Sequence, residues 1–423
     1  MSWLRIRLPL AALALTLVAA CTDEPTGDDE LGEDTTDEDT TDEDTTGDTT
    51  ETGEPGPTRE ELLAELEAPG PFAVGYRKLE LTYLPPGTSE ERLLPIDVWY
   101  PAVADSGAAK AVYSVAGIID FTAPLALDNP EVSGDGPFPV AVYSHGSGGE
   151  GLLAYPYAER FASHGWVVLS PGHTGNTALD SLGEQSDSFV QVAVNRPLDI
   201  SAVLDEADGG FAGDSVAQAT DLSSVFVFGH SFGGYTTLAV GGATLDYQIA
   251  LSGCEPADCA YLEQPDVAER FAQGFGDPRV DAIAPQAPAL IPNFAAGELT
   301  DLALPTMLQS GKLDITTPDT TQAEPAWAAL DGEPDTWINL VFGAHYSFIT
   351  ICDVLAPELL ALFEPNNVND GCGPDFTPTL ETVPVLGTYL LAFARAHVLG
   401  EAEWTLLLEG EALHPEFALF RKP

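Results

Sequence analysis

The sequence predicts an α/β fold in which a mostly parallel central sheet is covered by helices on both faces. Three apolar runs, residues 137–145, 166–172 and 223–230, are short and rich in β-branched and aromatic residues, as strands buried on both faces are. The segments 155–165 and 196–208 have the apolar spacing of amphipathic helices. Of the 423 residues, 44% are hydrophobic, which is enough for a large core. Strands that alternate with helices indicate parallel pairing and the α/β class.

The same alternation continues towards the carboxyl terminus. After residue 230 the patterns predict a helix, four short strands and a closing helix, at residues 231–242, 247–253, 280–288, 304–311, 337–343 and 383–400. Earlier in the chain, residues 76–84 and 93–101 alternate in polarity as antiparallel strands do, and PPGTSEE between them supplies a turn. We expect this pair to extend one edge of the sheet. We expect one folded domain, at residues 59–423, because no repeat occurs within it.

The first 20 residues have the pattern of an export signal. Two arginines precede an apolar run at 8–20, and this run is shorter than the roughly 20 residues that span a bilayer. The run ends in VAAC, which resembles the lipobox of bacterial lipoproteins. The resemblance implies that residues 1–20 are removed, that Cys21 is acylated, and that the protein is exported and lipid-anchored in the cell envelope, at the outer membrane or the cell surface. A secretory signal with an incidental cysteine is the alternative.

Residues 21–58 form an acidic tract with a TTDED repeat and almost no apolar side chains. Such a segment cannot bury enough apolar surface to offset the entropy of ordering, so we interpret it as a disordered tether. Calcium binding by the repeat is the alternative, although the repeat lacks the glycine turn and the spaced ligands of an EF-hand loop. The whole chain has 67 acidic and 15 basic residues, a net charge of −52. This charge disfavours nucleic acid and anionic membrane surfaces as partners.

The predicted domain contains four cysteines, Cys254, Cys259, Cys352 and Cys372. An even number in an exported protein predicts disulfides, and the local pairs Cys254–Cys259 and Cys352–Cys372 require the least rearrangement of the three possible connectivities. Zinc binding is the alternative, but the spacings are irregular and no histidine lies close to either pair, so we predict no metal site. The segment 254–278 is predicted either as a flap over a site or as a disulfide-pinned surface loop.

One short motif points to chemistry. Residues 229–233, GHSFG, fit the pattern G-x-S-x-G between a predicted strand and a predicted helix, which is the context of a nucleophile elbow. The flanking glycines are needed because a Cβ atom would collide with the neighbouring strand or helix. The turn presents the Ser231 hydroxyl at the amino end of a helix, where free N–H groups favour developing negative charge. An ordinary tight strand-to-helix turn is the alternative.

A serine nucleophile needs a base, and in this arrangement an acid and then a histidine follow the serine in the chain. His345 comes directly after a predicted strand, whereas His397 lies inside the closing helix and His414 in the tail, so we assign His345 as the base. Asp314 also follows a predicted strand and is the candidate acid, which would fix the tautomer of the histidine. Three nearby alternatives to this acid are expected to be solvated: Asp301, Asp319 and Asp335.

The oxyanion formed in acyl transfer needs backbone N–H donors at close range. The glycine-rich segment SHGSGG, residues 144–149, follows an earlier predicted strand and allows such an approach. We assign the oxyanion hole to the N–H groups of Phe232 and Ser147. His145 precedes the serine in the chain, so we interpret it as a prop of this loop and not as the base.

These segments together resemble the platelet-activating-factor acetylhydrolase and dienelactone-hydrolase-like branch of the α/β-hydrolases. The resemblance covers residues from about 71 to 400 and rests on PFPVAVYSHGSGG, ERFASHGWVVLSPGHTGN, RPLDISAVLD, GHSFGGYTT and DPRVDAIAPQAP, together with the segments around Asp314 and His345. It implies an α/β-hydrolase fold. Dienelactone hydrolases have a cysteine nucleophile where this chain has Ser231, so the resemblance favours hydrolysis of carboxylic esters.

The resemblance therefore implies a serine ester hydrolase that forms an acyl-enzyme and needs no cofactor. Short-chain acyl esters, such as phospholipid acetyl groups, are the expected substrates. Two other functions stay open: a polyester or peptide hydrolase of the same fold, and a catalytically silent binding protein at the cell surface. We expect a monomer that meets the membrane through its lipid anchor only.

Overall fold

The computed structural model describes residues 56–422, apart from 184–185, 253, 296, 333, 357–359 and 361–369. The predicted signal peptide, Cys21 and nearly all of the acidic tract lie outside the described residues, so these features stay predictions. None of the described helices has the length and apolar character needed to cross a bilayer.

The apolar runs of the described chain lie side by side in one sheet of eleven strands. The strands are β1 Ala73–Tyr83, β2 Arg92–Ala102, β3 Lys110–Val115, β4 Ile119–Asp128, β5 Phe138–Ser144, β6 Val167–Pro171, β7 Thr220–His230, β8 Val280–Gln286, β9 Met307–Gly311, β10 Thr336–Leu340 and β11 Phe417–Arg421.

Helices connect most of the parallel strands. The described α-helices are α1 Arg59–Glu67, α2 Tyr155–Ser163, α3 Ala178–Gly183, α4 Phe189–Gly209, α5 Ser215–Gln218, α6 Phe232–Val240, α7 Tyr247–Ser252, α8 Pro256–Leu262, α9 Pro265–Gln273, α10 Ala323–Ala329, α11 Ile351–Val354, α12 Thr379–His397 and α13 Thr405–Leu408. Short 3-10 helices are found at Gly151–Ala154, Phe211–Gly213, Ile291–Asn293, His345–Phe348 and Ala402–Trp404.

The strand order is β11-β10-β9-β8-β7-β5-β6-β2-β1-β4-β3. The six strands from β10 to β6 in this order are parallel to one another. Strands β1 and β2 pair antiparallel, and β2 pairs antiparallel with β6, so the predicted antiparallel amino-terminal edge is confirmed. Since the central strands are parallel, their carboxyl ends all lie at one edge of the sheet, and the loops that follow them are neighbours.

The sheet is buried on both faces. Along β7, Val225 and Val227 belong to one core cluster, whereas Phe226 and Phe228 belong to the other. Phe161 of α2 stacks on both phenylalanines at centroid distances of 5.9 and 5.8 Å. Each fully buried side chain of this size contributes roughly 1.5–3 kcal/mol to stability, so the central strands are firmly held. The predicted α/β architecture with helices on both faces is confirmed.

Residues 247–253, predicted as a strand, instead contain the helix α7, so that prediction is wrong. The carboxylate of Asp246 accepts the N–H groups of Gln248 at 2.8 Å and Ile249 at 3.1 Å, which starts a helix. None of the residues of α7 is buried, so no sheet contact opposes the helix. The sequence also did not predict the hairpin of β3 and β4 or the carboxyl-terminal strand β11.

The described cysteines form two local disulfides, Cys254–Cys259 and Cys352–Cys372, which are the pairs that the spacing favoured. The first lies at the start of α8. The second joins α11 to the segment that precedes α12.

Candidate active site

Ser231 lies in the sharp turn between β7 and α6, with φ 59° and ψ −116°. This backbone conformation is strained for a non-glycine residue. Packing leaves no room for side chains beside the turn: a Cβ atom at Gly229 would lie 2.6 Å from the carbonyl oxygen of Gly233, and one at Gly233 would overlap the carbonyl of Ser144. The Ser231 N–H donates to the carbonyl of Gln286 in β8 at 2.9 Å, which fixes the turn to the sheet.

The three residues that the sequence assigned to catalysis are joined by hydrogen bonds. His345 Nε2 lies 2.9 Å from the Ser231 hydroxyl, and His345 Nδ1 lies 2.9 Å from Asp314 Oδ2. His345 and Asp314 are buried, at 4% and 5% exposure, and Ser231 is partly exposed. With Nδ1–H donating to the carboxylate, Nε2 is free to accept the serine proton. This arrangement can deprotonate the hydroxyl and stabilise the imidazolium that results.

The parallel sheet brings these residues together. Ser231 follows β7, Asp314 follows β9 and His345 follows β10, all at the carboxyl edge of the sheet. The loops after β9 and β10 pass so close that a Cβ atom at Gly311 would lie 2.7 Å from the carbonyl oxygen of Gly343. The glycine at 311 therefore lets the acid and the base approach each other.

The Asp314 carboxylate is held ionised by its partners. Oδ1 accepts the N–H groups of Thr316 at 2.8 Å and Thr317 at 2.6 Å, and Oδ2 accepts the Thr317 hydroxyl at 2.7 Å. Burial alone would raise the pKa of Asp314, but the charge and hydrogen bond of His345, with those of Thr317, outweigh it and lower this pKa below its ordinary value. A carboxylate in this state can orient the imidazole over a wide pH range.

Asp370, which was not predicted from the sequence, joins the loop after β9, which carries Asp314, to the loop after β10, which carries His345. Its carboxylate accepts the Thr316 hydroxyl at 2.6 Å, the Thr316 N–H at 2.9 Å and the His345 N–H at 3.4 Å, and its side chain is buried. The one sequence signal for it is its position two residues before Cys372. The ligand atoms of Asp314, His345 and Asp370 all lie within 4.8 Å of one another, as a metal site would require. Since these oxygens already accept hydrogen bonds from the protein, we assign no metal to them.

His230, the variable residue of the elbow motif, contacts the backbone of His345. Its Nε2–H donates to the carbonyl oxygen of His345 at 2.7 Å. Burial, and then the neighbouring charge of His345, lowers the pKa of His230 to about 3, so this ring is neutral. This contact was not predicted from the sequence, although the position of His230 beside Ser231 was a signal.

The two predicted oxyanion donors are not used in other hydrogen bonds of the described residues. Among the described residues, the N–H groups of Phe232 and Ser147 make no hydrogen bond. His145 props the loop as expected: its Nδ1 bonds the carbonyl of Gly146 at 2.7 Å, and its Nε2 accepts the N–H of His173 at 3.1 Å. Burial, and then Arg196, lowers the pKa of His145 well below its ordinary value, so it is neutral as well.

A buried hydrogen-bond network that includes Arg196 of α4 holds the same loop, residues 144–149. Arg196 donates to the Asn176 side chain at 2.7 Å and to the carbonyl of His145, and Asn176 donates to the Ser147 hydroxyl at 3.0 Å. Arg196 has no exposed surface. The backbone of the loop that carries the Ser147 N–H is thus fixed by side chains that do not reach the cavity.

A second serine–histidine–aspartate set is also present in this network. Ser144 Oγ lies 2.9 Å from His173 Nε2, and His173 Nδ1 lies 2.8 Å from Asp199 Oδ2. All three residues are fully buried, and Asp199 is also paired with Arg92 at 2.7 Å. No substrate can reach this serine, so the set is structural.

Ser231 and His345 open into a cavity of about 370 Å³. The hairpin of β3 and β4 forms one wall of the cavity, with Ala116 and Ile118, and Leu153 and Ile349 lie on other sides. No residue of the segment 254–278 lines the cavity.

The segment 254–278 packs elsewhere, which agrees with the surface-loop alternative and not with a flap. The Tyr261 hydroxyl donates to the carbonyl of Pro86 at 3.4 Å, and Asp266 accepts the Gly87 N–H at 2.8 Å. The segment therefore contacts the turn between β1 and β2.

The alternative acids have other partners. Asp319 accepts the Asn339 amide at 2.5 Å and Asp335 accepts the Thr306 N–H at 3.2 Å. Asp319 and Asp335 are buried, at 4% and 1% exposure, so the expectation that they are solvated is wrong for these two. They lie in the strand-and-loop packing around β9 and β10, where these donors satisfy one oxygen of each carboxylate. Asp319 Oδ1 and Asp335 Oδ2 are buried without a hydrogen-bond partner among the described residues. Asp301 is exposed, as expected.

Comparisons with known proteins show similarity at the level of the fold. No protein-family model matches the chain, and no curated protein matches it. Among solved structures, a ferulic acid esterase from Streptomyces cinnamoneus superposes with a TM-score of 0.58 at 20% sequence identity, covering 82% of this chain and 96% of that chain. Together with the strand order, this similarity confirms the predicted α/β-hydrolase fold.

Proposed function

We propose that the protein is a serine carboxylic-ester hydrolase that acts through a covalent acyl-enzyme. The observation that carries this proposal is the hydrogen-bonded chain from Ser231 through His345 to Asp314, which opens into an apolar cavity. The similarity in fold to a protein described as a ferulic acid esterase is consistent with ester hydrolysis.

In the first half of the proposed reaction, His345 Nε2 takes the proton of Ser231 as the oxygen attacks the ester carbonyl. The carbonyl oxygen becomes an oxyanion, which accepts hydrogen bonds from the N–H groups of Phe232 and Ser147. Each such donor contributes roughly 3–4 kcal/mol to transition-state stabilisation. The intermediate then collapses, the bond to the alcohol oxygen breaks, and His345 returns its proton to the leaving alcohol.

In the second half, water replaces the alcohol. His345 takes a proton from the water as its oxygen attacks the acyl carbonyl, and the same two donors hold the oxyanion. Collapse releases the carboxylic acid, and the proton returns to Ser231. Asp314 holds the imidazole in place throughout and stays ionised.

The expected substrates are short-chain acyl esters, of which phospholipid acetyl groups are one example. Export and anchoring through acylated Cys21 complete the proposal and rest on the sequence alone. An anchor of this kind would place the enzyme at a membrane surface, close to lipid esters.

The test uses the chain without residues 1–21, which lacks the predicted signal and the lipidation cysteine. Hydrolysis of 4-nitrophenyl acetate, butyrate and longer esters would be followed for the parent and for Ser231→Ala. We expect the variant to lose about a thousandfold or more in kcat. Ser252→Ala, the same substitution at an exposed serine, is the matched control and should keep parental activity.

Retention of activity by Ser231→Ala within about tenfold of the parent would overturn the proposal. A fluorophosphonate probe gives a second measurement. It should label Ser231 in the parent, and a silent binding protein would not be labelled.

A further inference from the structure

The cavity beside Ser231 is apolar over most of its surface. Val115, Ile118 and Ile119 of the β3–β4 hairpin line it, with Leu153 and Ile351 on other sides. Among the described lining residues there is no lysine and no arginine. An anionic group inside the cavity would therefore find no cationic side chain on its walls.

Glu150 is the one carboxylate among the described lining residues. It directly follows residues 144–149, the segment that carries the proposed oxyanion donor Ser147, and precedes the 3-10 helix Gly151–Ala154. It is partly buried, and in the part of the chain that the structure describes its carboxylate has no hydrogen bond or ion pair. A carboxylate that has no protein partner at the cavity wall interacts electrostatically with any molecule that enters the cavity.

The charged groups near Glu150 do not compensate its negative charge. Burial, and then the charge of Asp97, raises the pKa of Glu150 to about 7, and Asp180 acts in the same direction. Lys78 acts in the opposite direction, but it is more than half exposed and paired with Asp97 at 3.7 Å. Above about pH 7, where Glu150 is mostly ionised, the field at this wall of the cavity is therefore negative.

A second negative charge in such a cavity is disfavoured for two reasons. It loses hydration on entering an apolar space, and it is repelled by the ionised carboxylate of Glu150, which is partly buried and so less screened by water than a surface charge. An uncharged acyl or alkyl group gains from burial of its surface instead.

We propose that Glu150 makes this site selective for esters whose buried half is uncharged and apolar, and that it rejects esters with an anionic group in that half. This inference rests on the proposed esterase function and specifies the substrate class of the same site.

The experiment compares esters that differ in charge. For the acyl half, the pair is 4-nitrophenyl hexanoate and the 4-nitrophenyl monoester of adipic acid, which has six carbons and ends in a carboxylate. For the alcohol half, the pair is 4-nitrophenyl hexanoate and 4-carboxyphenyl hexanoate. The half that responds to charge is the one that occupies the cavity. Spontaneous hydrolysis is subtracted with the Ser231→Ala variant.

The measured quantity is the ratio of kcat/KM for the neutral ester to that for the anionic ester. In at least one pair, Glu150→Gln should lower this ratio by about tenfold relative to the parent, mainly by faster hydrolysis of the anionic ester. Glu131→Gln is the matched control at an exposed glutamate and should leave both ratios unchanged. Intrinsic ester reactivity cancels because each ester is compared between proteins.

The pH dependence of the same ratio gives a second readout. Titration of the catalytic residues affects both esters of a pair and cancels in the ratio, so the ratio should rise between pH 6 and 8 as Glu150 ionises. In Glu150→Gln the ratio should be flat. Asp97, Asp180 and Lys78 also face this carboxylate, but they are present in both proteins.

Ratios within about twofold of the parent in Glu150→Gln, for both pairs, would overturn the selectivity and leave the esterase proposal intact. If the parent hydrolyses none of these esters, the proposed function and this inference fail together.

Discussion

Arg196 is a fully buried cation whose closest partners are uncharged. It donates to the Asn176 side chain, to the Ser144 hydroxyl at 3.2 Å and to the carbonyl of His145. Burial lowers the pKa of Arg196 to about 9, and Asp199 opposes this effect. Burying a charge without a close ion-pair partner costs stability. Here the buried guanidinium fixes the backbone of the proposed oxyanion loop, residues 144–149.

Replacing Asn176 by alanine should reveal this positioning function. The change removes the acceptor for Arg196 and the donor to Ser147, while the proposed catalytic residues stay in place. We expect kcat to fall roughly tenfold with KM little changed, because the Ser147 N–H then contributes less to the oxyanion. The measurement is steady-state kinetics on a 4-nitrophenyl ester.

Ser147→Ala separates the two contacts of Asn176, because it removes the hydroxyl that Asn176 meets and keeps the backbone N–H. A small effect in Ser147→Ala together with the expected loss in Asn176→Ala would show that the link to Arg196 matters. An Asn176→Ala enzyme with parental kcat would contradict the positioning function.

At the scale of elements, the disulfide Cys352–Cys372 lies next to the segment that brings Asp370 to the site. Asp370 holds the loop after β9 against the loop after β10, and Gly371 packs so closely that a Cβ atom there would lie 2.8 Å from the Tyr346 nitrogen. The disulfide closes a loop with a sequence separation of 20 residues. It therefore restrains the unfolded chain and anchors a contact of the proposed catalytic pair.

The double variant Cys352→Ser/Cys372→Ser should lose both the restraint on the unfolded chain and the anchoring of Asp370. We expect about 3 kcal/mol less stability to unfolding, from the loop-closure entropy of a loop of this size. We also expect a lower kcat, because Asp370 then holds Thr316 and His345 less firmly. Denaturant unfolding and ester kinetics below the unfolding transition measure the two effects separately.

The other disulfide supplies the matched control. Cys254 and Cys259 are separated by only 5 residues, and no residue of their segment lines the cavity. Cys254→Ser/Cys259→Ser should therefore lose less stability and keep the parental kcat. An equal loss of kcat in both double variants would mean that the effect comes from general destabilisation and not from Asp370.

The elements that the sequence predicted well share one property, which is a strong local pattern. The central strands are continuous apolar runs, and the turn at Ser231 is marked by glycines that the packing requires, so the strand-to-helix turn was predicted at the right place. The helix α7 was misassigned because YQIALS is a short apolar run with no periodicity that separates strand from helix. The hairpin of β3 and β4 has exposed positions along both strands, so its pattern was weak.

The residues that the sequence missed at the site act through distant partners. Asp370, His230 and Arg196 are distinguished by what they contact across 20 to 115 positions of chain, as in the bond of Arg196 to Asn176 and that of His230 to His345. His230 and Arg196 lie in the segments GHSFG and RPLDISAVLD, but neither segment indicates which distant group the side chain contacts. The proximity of Ser231, His345 and Asp314 was predictable because their order in the chain and their positions after strands follow from the reaction that they are proposed to perform.

At the scale of the whole molecule, the net charge of −52 is the dominant electrostatic property, and residues 59–423 carry most of it. Like charges repel one another across the folded surface, and unfolding relieves this repulsion, so the charge lowers stability at low ionic strength. Pairs such as Arg279–Asp205 at 2.9 Å act in the opposite direction, but the acidic partner is 74% exposed and a pair of this kind contributes little.

Salt should therefore stabilise the protein. Raising NaCl from about 0.01 to 0.1 M shortens the screening length from about 30 to 10 Å, which weakens the long-range repulsion more than the short contacts of ion pairs. We expect Tm to rise by about 1–2 °C over this range, which corresponds to roughly 1 kcal/mol for a domain of about 365 residues. Differential scanning calorimetry at pH 8 measures it, with choline chloride as a second salt. An equal rise in the two salts indicates screening, a rise in NaCl alone indicates specific sodium binding, and a Tm that falls in both would contradict the dominance of repulsion.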